Sequence, residues 1–249
     1  MPMEPFALVT LVIATFLLAG LVKGVVGMGL PPVAIGLMAL AMPPAQAAAL
    51  VLIPAFVTNI WQMTAGRNFL AIARRLWPLL ICICIGVWLC RDVMTTQTSK
   101  LPEILLGLML MLYAVYGAVS PTPRLPPRYE PYVAPIAGLM TGAILAATGL
   151  MQIPLFPYLQ AINLEKEEML QALGLSFFIS ALALGTALSN ANILRTETAL
   201  LSLFALLPAI AGMAVGRYYV RRLSAAAFKR WFLIAMFLIG LASLFHAIR

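Results

Sequence analysis

Lys23 stands inside an apolar run, Ala19-Gly20-Leu21-Val22-Lys23-Gly24, beside a glycine-rich stretch that reaches Gly27 and Gly29. An ionised amine at such a position costs about 3 kcal/mol on membrane-insertion scales, so it needs a partner, water or a ligand. No acidic residue interrupts an apolar run in the first half of the chain. An anionic ligand would supply the counter-charge, and the N–H groups exposed where a broken helix restarts favour the same sign. The alternative is that Lys23 snorkels to an interface at the far end of a full-length span.

Neutral hydrogen-bonding groups surround this cation in sequence. Thr58, Asn59 and Gln62 lie near the end of one apolar run, the last two on one helical face. The second half offers Thr141, Thr148, Gln152, Ser176 and Ser180, with the two serines a helical turn apart near mid-depth. Each is also the kind of residue that bridges helices in membrane bundles. Donors without strong bases suit reversible anion binding rather than bond breaking.

Enzyme chemistry lacks its parts. No apolar run carries paired carboxylates, and the single histidine, His246, lies at the C-terminal end. Cys82, Cys84 and Cys90 share one run, which reads as apolar packing and not as a disulfide framework, a metal site or a cysteine relay. Glu165-Lys166-Glu167-Glu168 reads as the start of a helix, matching its dipole. There is no Gly-rich loop ending in Gly-Lys-Ser/Thr, so this chain does not drive pumping with ATP by itself. No catalytic residue, metal or cofactor is expected.

The elements that must position these residues follow from composition. Of 249 residues, 63% are apolar and 10% charged, against about 45–50% and about 25% in an ordinary soluble domain. At about 20 residues per spanning helix, the chain holds roughly eight membrane segments and little else. The net charge of +8 sits in short loops between apolar runs, which argues against nucleic acid as a partner and for a lipid bilayer. The acidic start, Met-Pro-Met-Glu-Pro, is unlike a signal peptide, so the first apolar run is expected to be kept.

The two halves copy one another. Ala19 to Gly24 matches Ala137-Gly138-Leu139-Met140-Thr141-Gly142, and Gly29 matches Gly149, each followed by prolines (Pro31-Pro32; Pro154 and Pro157). Paired segments interrupted by Gly and Pro are the pattern of secondary transporters, whose sites lie at the breaks. The competing reading is that Gly20/Gly24 and Gly138/Gly142 only pack helices. The expected organisation is a first membrane repeat over 1–120, a Pro-rich linker over 121–131 and a second repeat over 132–249.

Loop charge orients the halves. If residues 6–42 and 132–162 each enter and return on one side, then Arg67, Arg74, Arg75, Arg124, Arg128, Lys166, Arg217, Arg221, Arg222, Lys229 and Arg230 share one face. Arg91, Lys100, Arg195 and Arg249 share the other. Plain crossings would divide the cations almost evenly, against the usual cytoplasmic bias. The expectation is an all-α polytopic integral membrane protein of about eight segments in two inverted four-segment halves. Each half opens with a Gly-broken helix or hairpin, leaving about six full crossings, and both termini face the periplasm. The first helix is expected to stop near Val22, with the break beginning at Lys23.

Gly20-x-x-x-Gly24-x-x-Gly27-x-Gly29 before Pro31-Pro32, Thr58-Asn59-Ile60-Trp61-Gln62, Thr141-Gly142, Gln152-Ile153-Pro154, Pro157-Tyr158-Leu159-Gln160 and Gln171 through Ser176-Phe177 resemble the TauE/SafE-like (TSUP) family of membrane transporters. The family's Gly-Gly-Gly run stands here as Gly27-Met28-Gly29, and its second copy as Thr148-Gly149. The resemblance implies a permease of the bacterial inner membrane that moves sulfite, sulfonates or related organosulfur anions. It implies a substrate site drawn from Lys23, Gly24, Gly27, Gly29, Thr58, Asn59, Gln62, Thr141, Gly142, Thr148, Gly149, Gln152, Ser176 and Ser180. A proton or a sodium ion is left as the coupling ion, and lipid-facing glycines would allow a homodimer. A membrane scaffold or assembly protein, or an anion channel, are the alternatives.

Overall fold

The computed structural model describes residues 4–64, 66, 68–96, 100–119, 123–219 and 225–248. Ten α-helices occupy them: α1 (Pro5–Val26), α2 (Leu30–Met38), α3 (Pro44–Thr64), α4 (Phe69–Thr95), α5 (Leu101–Val119), α6 (Glu130–Thr148), α7 (Leu155–Ala161), α8 (Lys166–Asn190), α9 (Thr196–Tyr219) and α10 (Ala225–Ile248). Eight of them, all but α2 and α7, are long and apolar enough to cross a membrane. The protein is therefore an all-α polytopic membrane protein.

The opening segments differ from the expectation in one respect. Helix α1 does not stop at Val22 but runs through Lys23 to Val26, 22 residues in all, or about 33 Å at 1.5 Å per residue. The break falls where the backbone requires glycine: Gly27 and Gly29 have φ of 82° and 112°, a region that side chains disfavour. Gly24 stays helical because it lies in a helix contact, as described below. Each expected hairpin is thus a membrane-length helix followed by a short return helix, α2 of 9 residues or α7 of 7. The opening helices α1 and α6 are thus long enough to cross a membrane, as are the six other long helices. Nearly all of α2 is buried, as irregular backbone at membrane depth demands.

The ends of the helices sort onto two faces. Leu8 at the start of α1 lines the same cavity as Met42 to Gln46 before and at the start of α3, Thr96 after α4, Glu103 of α5 and Arg195 before α9. Residues 6–42 therefore leave and return on one face. On the opposite face Arg75 of α4 makes a two-pronged ion pair with Glu130 (Nε–Oε1 2.8 Å, Nη2–Oε2 2.9 Å) and donates to the Ile162 carbonyl (2.9 Å). One guanidinium thus fastens both ends of the second opening segment. Arg67, Arg221, Arg222 and Arg249 lie outside the described residues.

Glycine sets the closest helix contacts. Gly20 and Gly24 of α1 lie against Ala209, Met213 and Gly216 of α9, while Gly138 and Gly142 of α6 lie against Leu79, Ile83 and Gly86 of α4. In both pairs the contacts advance together along the two helices, so the partners run parallel. Helices α3 and α8 run antiparallel, with Gly174 beside Met63 and Gly185 beside Leu52. Every described glycine meets another part of the chain within 4 Å. The lipid-facing glycines that would have let a homodimer form are therefore not found among the described residues.

Pro54 shows how a polar side chain repairs a broken ladder. Proline has no N–H to give the Leu50 carbonyl; Ser202 of α9, fully buried, donates to that oxygen at 2.8 Å and accepts from Ile53 N at 3.2 Å. Ser202→Ala should cost about 1 kcal/mol, whereas Ser243→Ala, whose hydroxyl bonds only within its own helix, should change little. Thermal unfolding of the purified variants in detergent checks the contrast, and equal melting temperatures would contradict it.

Candidate functional site

Lys23 occupies the last turn of α1, which the α1–α9 glycine contact holds in the interior. Its side chain is 4% exposed, and it is the one charged residue among the described buried ones. Nζ donates to Thr58 Oγ1 at 2.9 Å and to Asn59 Oδ1. Thr58 passes its own proton to the Pro54 carbonyl at 2.7 Å, so the lysine is held by an oriented chain of neutral groups. Among the described residues no carboxylate pairs with it. Arg217 adds to the positive field; its guanidinium stacks 4.3 Å from the Trp61 ring centroid, one turn beyond Thr58.

Among the described residues, five buried polar groups in the bundle lack protein partners. Asn59 Nδ2, Gln152 Nε2, Ser176 Oγ, Ser180 Oγ and Tyr158 Oη have no hydrogen-bond partner. Such groups are rare in folded proteins because each costs about 1–3 kcal/mol of lost solvation. The antiparallel register of α3 and α8 brings Ser176 and Ser180 to the depth of Thr58 and Asn59.

Other expected residues are placed elsewhere. Thr141 donates to Ala137 O, and Thr148 donates to Ile144 O and accepts from Leu150 N, closing the end of α6. Gly149 (φ 75°) faces Ile35 and Ala48, and Gln152 follows it. Ala48 lies eleven residues from Asn59 along α3, about 16 Å. The second break and the Lys23 cluster are thus two groups at different depths, not one pocket. Gly27 sits near Leu170 of α8, whose carbonyl receives Gln62 Nε2 at 3.2 Å, so Gln62 ties α3 to α8. Gly29 packs on Val22 and Phe232. Gly24 and Gly142 serve helix contacts, because a Cβ at either would overlap a backbone carbonyl of the neighbouring helix.

Tyr158 was absent from the expected site. A phenol directly after Pro157 in a short apolar piece is the available signal. Arg75 and Arg217 also escaped, since only the fold shows which loops meet.

Long apolar helices enclosing two glycine-broken segments, with a buried cation and unpartnered donors between them, define a membrane transporter. The family model for the sulfite exporter TauE/SafE matches residues 12–243, and the chain belongs to that family. No curated protein and no solved structure gives a match.

Proposed function

We propose that this protein is a permease for small anions, carrying sulfite, sulfonates or related organosulfur compounds across the bacterial inner membrane. The observation that carries the reading is Lys23, buried and bonded to the neutral Thr58 and Asn59, the latter with its Nδ2 unpartnered. An anion arriving there gains a counter-charge and hydrogen bonds already in place. Family membership supports the organosulfur class. The proposed units are two inverted halves, 1–120 and 132–249, joined by the linker 121–131. In favour of that division, α1 packs on α9 as α6 packs on α4. A proton or a sodium ion is the proposed coupling partner.

Flux in reconstituted vesicles tests the function. Sulfite, sulfonates, sulfate and carboxylates are offered with and without a pH or sodium gradient, and no anion crossing faster than in empty vesicles would end the reading. Stimulation by one gradient identifies the coupling ion.

The positive-inside bias puts the face of Arg75 and Arg217 in the cytoplasm and both termini outside. Single cysteines introduced as Asn68→Cys and Ala226→Cys should both be shielded from an impermeant thiol reagent applied to whole cells. Labelling of one but not the other would break the inverted arrangement.

A further inference from the structure

Cavities open on both faces, and their charge differs. The cavity on the face of the α1 start, about 650 Å³, mixes Arg195 with Glu103 and Glu197. One on the opposite face, about 560 Å³, is lined by Arg124 and Lys166 with no carboxylate among its described lining residues. The nearby Glu168 is engaged elsewhere: Oε1 accepts from Asn68 Nδ2 and Oε2 from the Glu165 backbone. Gln160, also in the lining, has its carbonyl oxygen occupied by Tyr116 Oη at 2.9 Å, which leaves its N–H groups to serve another acceptor. The rest of the wall is apolar, with Phe156 and Leu173 among its residues.

The cavity wall includes Met28, the residue between Gly27 and Gly29 in the first break. Across from it Leu170 touches the Gly27 position and holds Gln62 through its carbonyl. Lys23 begins about one helical turn back along α1. Cations in a concave site with low-dielectric walls concentrate anions and speed their capture.

Resting on the anion-permease reading, we propose that this cavity is a capture vestibule. Arg124 and Lys166 draw in a small anion bearing an apolar group and deliver it to Met28, which follows the helix end that carries Lys23. The cations supply attraction, the apolar wall favours an organic anion over a bare oxyanion, and the glycines flanking Met28 let that one residue shift without unwinding α1.

The test reads the vestibule without needing transport. Met28→Cys is made in a chain whose Cys82, Cys84 and Cys90 are replaced by alanine, and the purified full-length protein in detergent is treated with methanethiosulfonates of opposite charge. In each reaction the thiolate forms a disulfide and methanesulfinate leaves. Relative to free cysteine, the sulfonate reagent should be favoured over the trimethylammonium reagent about tenfold. Arg124→Gln with Lys166→Gln, or 1 M salt, should bring the preference to within about twofold of free cysteine. Leu170→Cys on the facing wall gives the same reading should Met28→Cys fail to purify. A preference unchanged by the double substitution, or a thiol unreactive with both reagents, overturns the proposal.

Flux separates this failure from that of the permease itself. The double variant should raise KM for butanesulfonate about tenfold with kcat held within twofold, and KM for sulfite by less. A wild-type protein that carries no anion would refute the permease reading while the labelling ratio still decides the vestibule. Normal flux with an unaltered KM in the double variant would refute the vestibule alone.

Discussion

Lys23→Gln should lower the proposed anion flux about a hundredfold while leaving the protein folded. The magnitude follows from removing the only described buried charge at the site: a hydrogen bond to a charged partner contributes about 1.5–3 kcal/mol against about 0.5–1.5 for a neutral one, and the long-range attraction is lost as well. Glutamine is close in length and keeps an N–H donor for Thr58 Oγ1 and Asn59 Oδ1, so the neutral chain to the Pro54 carbonyl survives. Stability should hold or rise, because burying an unanswered cation is itself unfavourable. Lys23→Arg should retain part of the flux. Vesicle transport beside thermal unfolding separates the roles: normal flux in Lys23→Gln would show that the lysine is structural and would favour a scaffold over a transporter.

The second large effect is on folding. Gly142→Leu and Gly20→Leu should each leave little folded protein, because a Cβ at these positions overlaps the Ile83 and Ala209 carbonyls of the neighbouring helix. A backbone oxygen cannot turn aside as a side chain can, so the cost exceeds the roughly 1–3 kcal/mol of ordinary overpacking. Gly185→Ala is the control: its nearest neighbour is a leucine methyl 3.7 Å away, and alanine gains about 1 kcal/mol of helix propensity over glycine. Size-exclusion chromatography in detergent distinguishes them. A monodisperse Gly142→Leu with a normal melting temperature would show that α4 and α6 are not in the contact described.

These two predictions assign different work to neighbouring residues of one motif. In Lys23-Gly24 the lysine turns to α3 and the glycine to α9. The sequence alone left open whether the glycine cluster binds a ligand or packs helices. The answer divides within the cluster: Gly20 and Gly24 pack, whereas Gly27 and Gly29 make the break.

What the residues determined by themselves is local. Runs of apolar side chains fix the membrane-length helices, because a buried backbone in lipid must bond within its own segment. Glycine at 27, 29 and 149 marks the breaks, because those φ values suit no other residue well. Glu165 and Glu168 announce the start of α8, where they form a reciprocal cap. Lys23 stands out as expensive wherever its helix is placed.

Only the tertiary structure decided which groups answer one another across the bundle. Arg75 joins Glu130 and Ile162, Ser202 serves the carbonyl that Pro54 abandons, and Arg124 and Lys166 line one cavity. Helix α1 continues past Lys23 because its partners Thr58 and Asn59, 35 and 36 residues away in sequence, make the interior habitable for an amine. Such pairings depend on register and rotation between helices. Hydropathy, which carries no record of which helix lies beside which, cannot encode them.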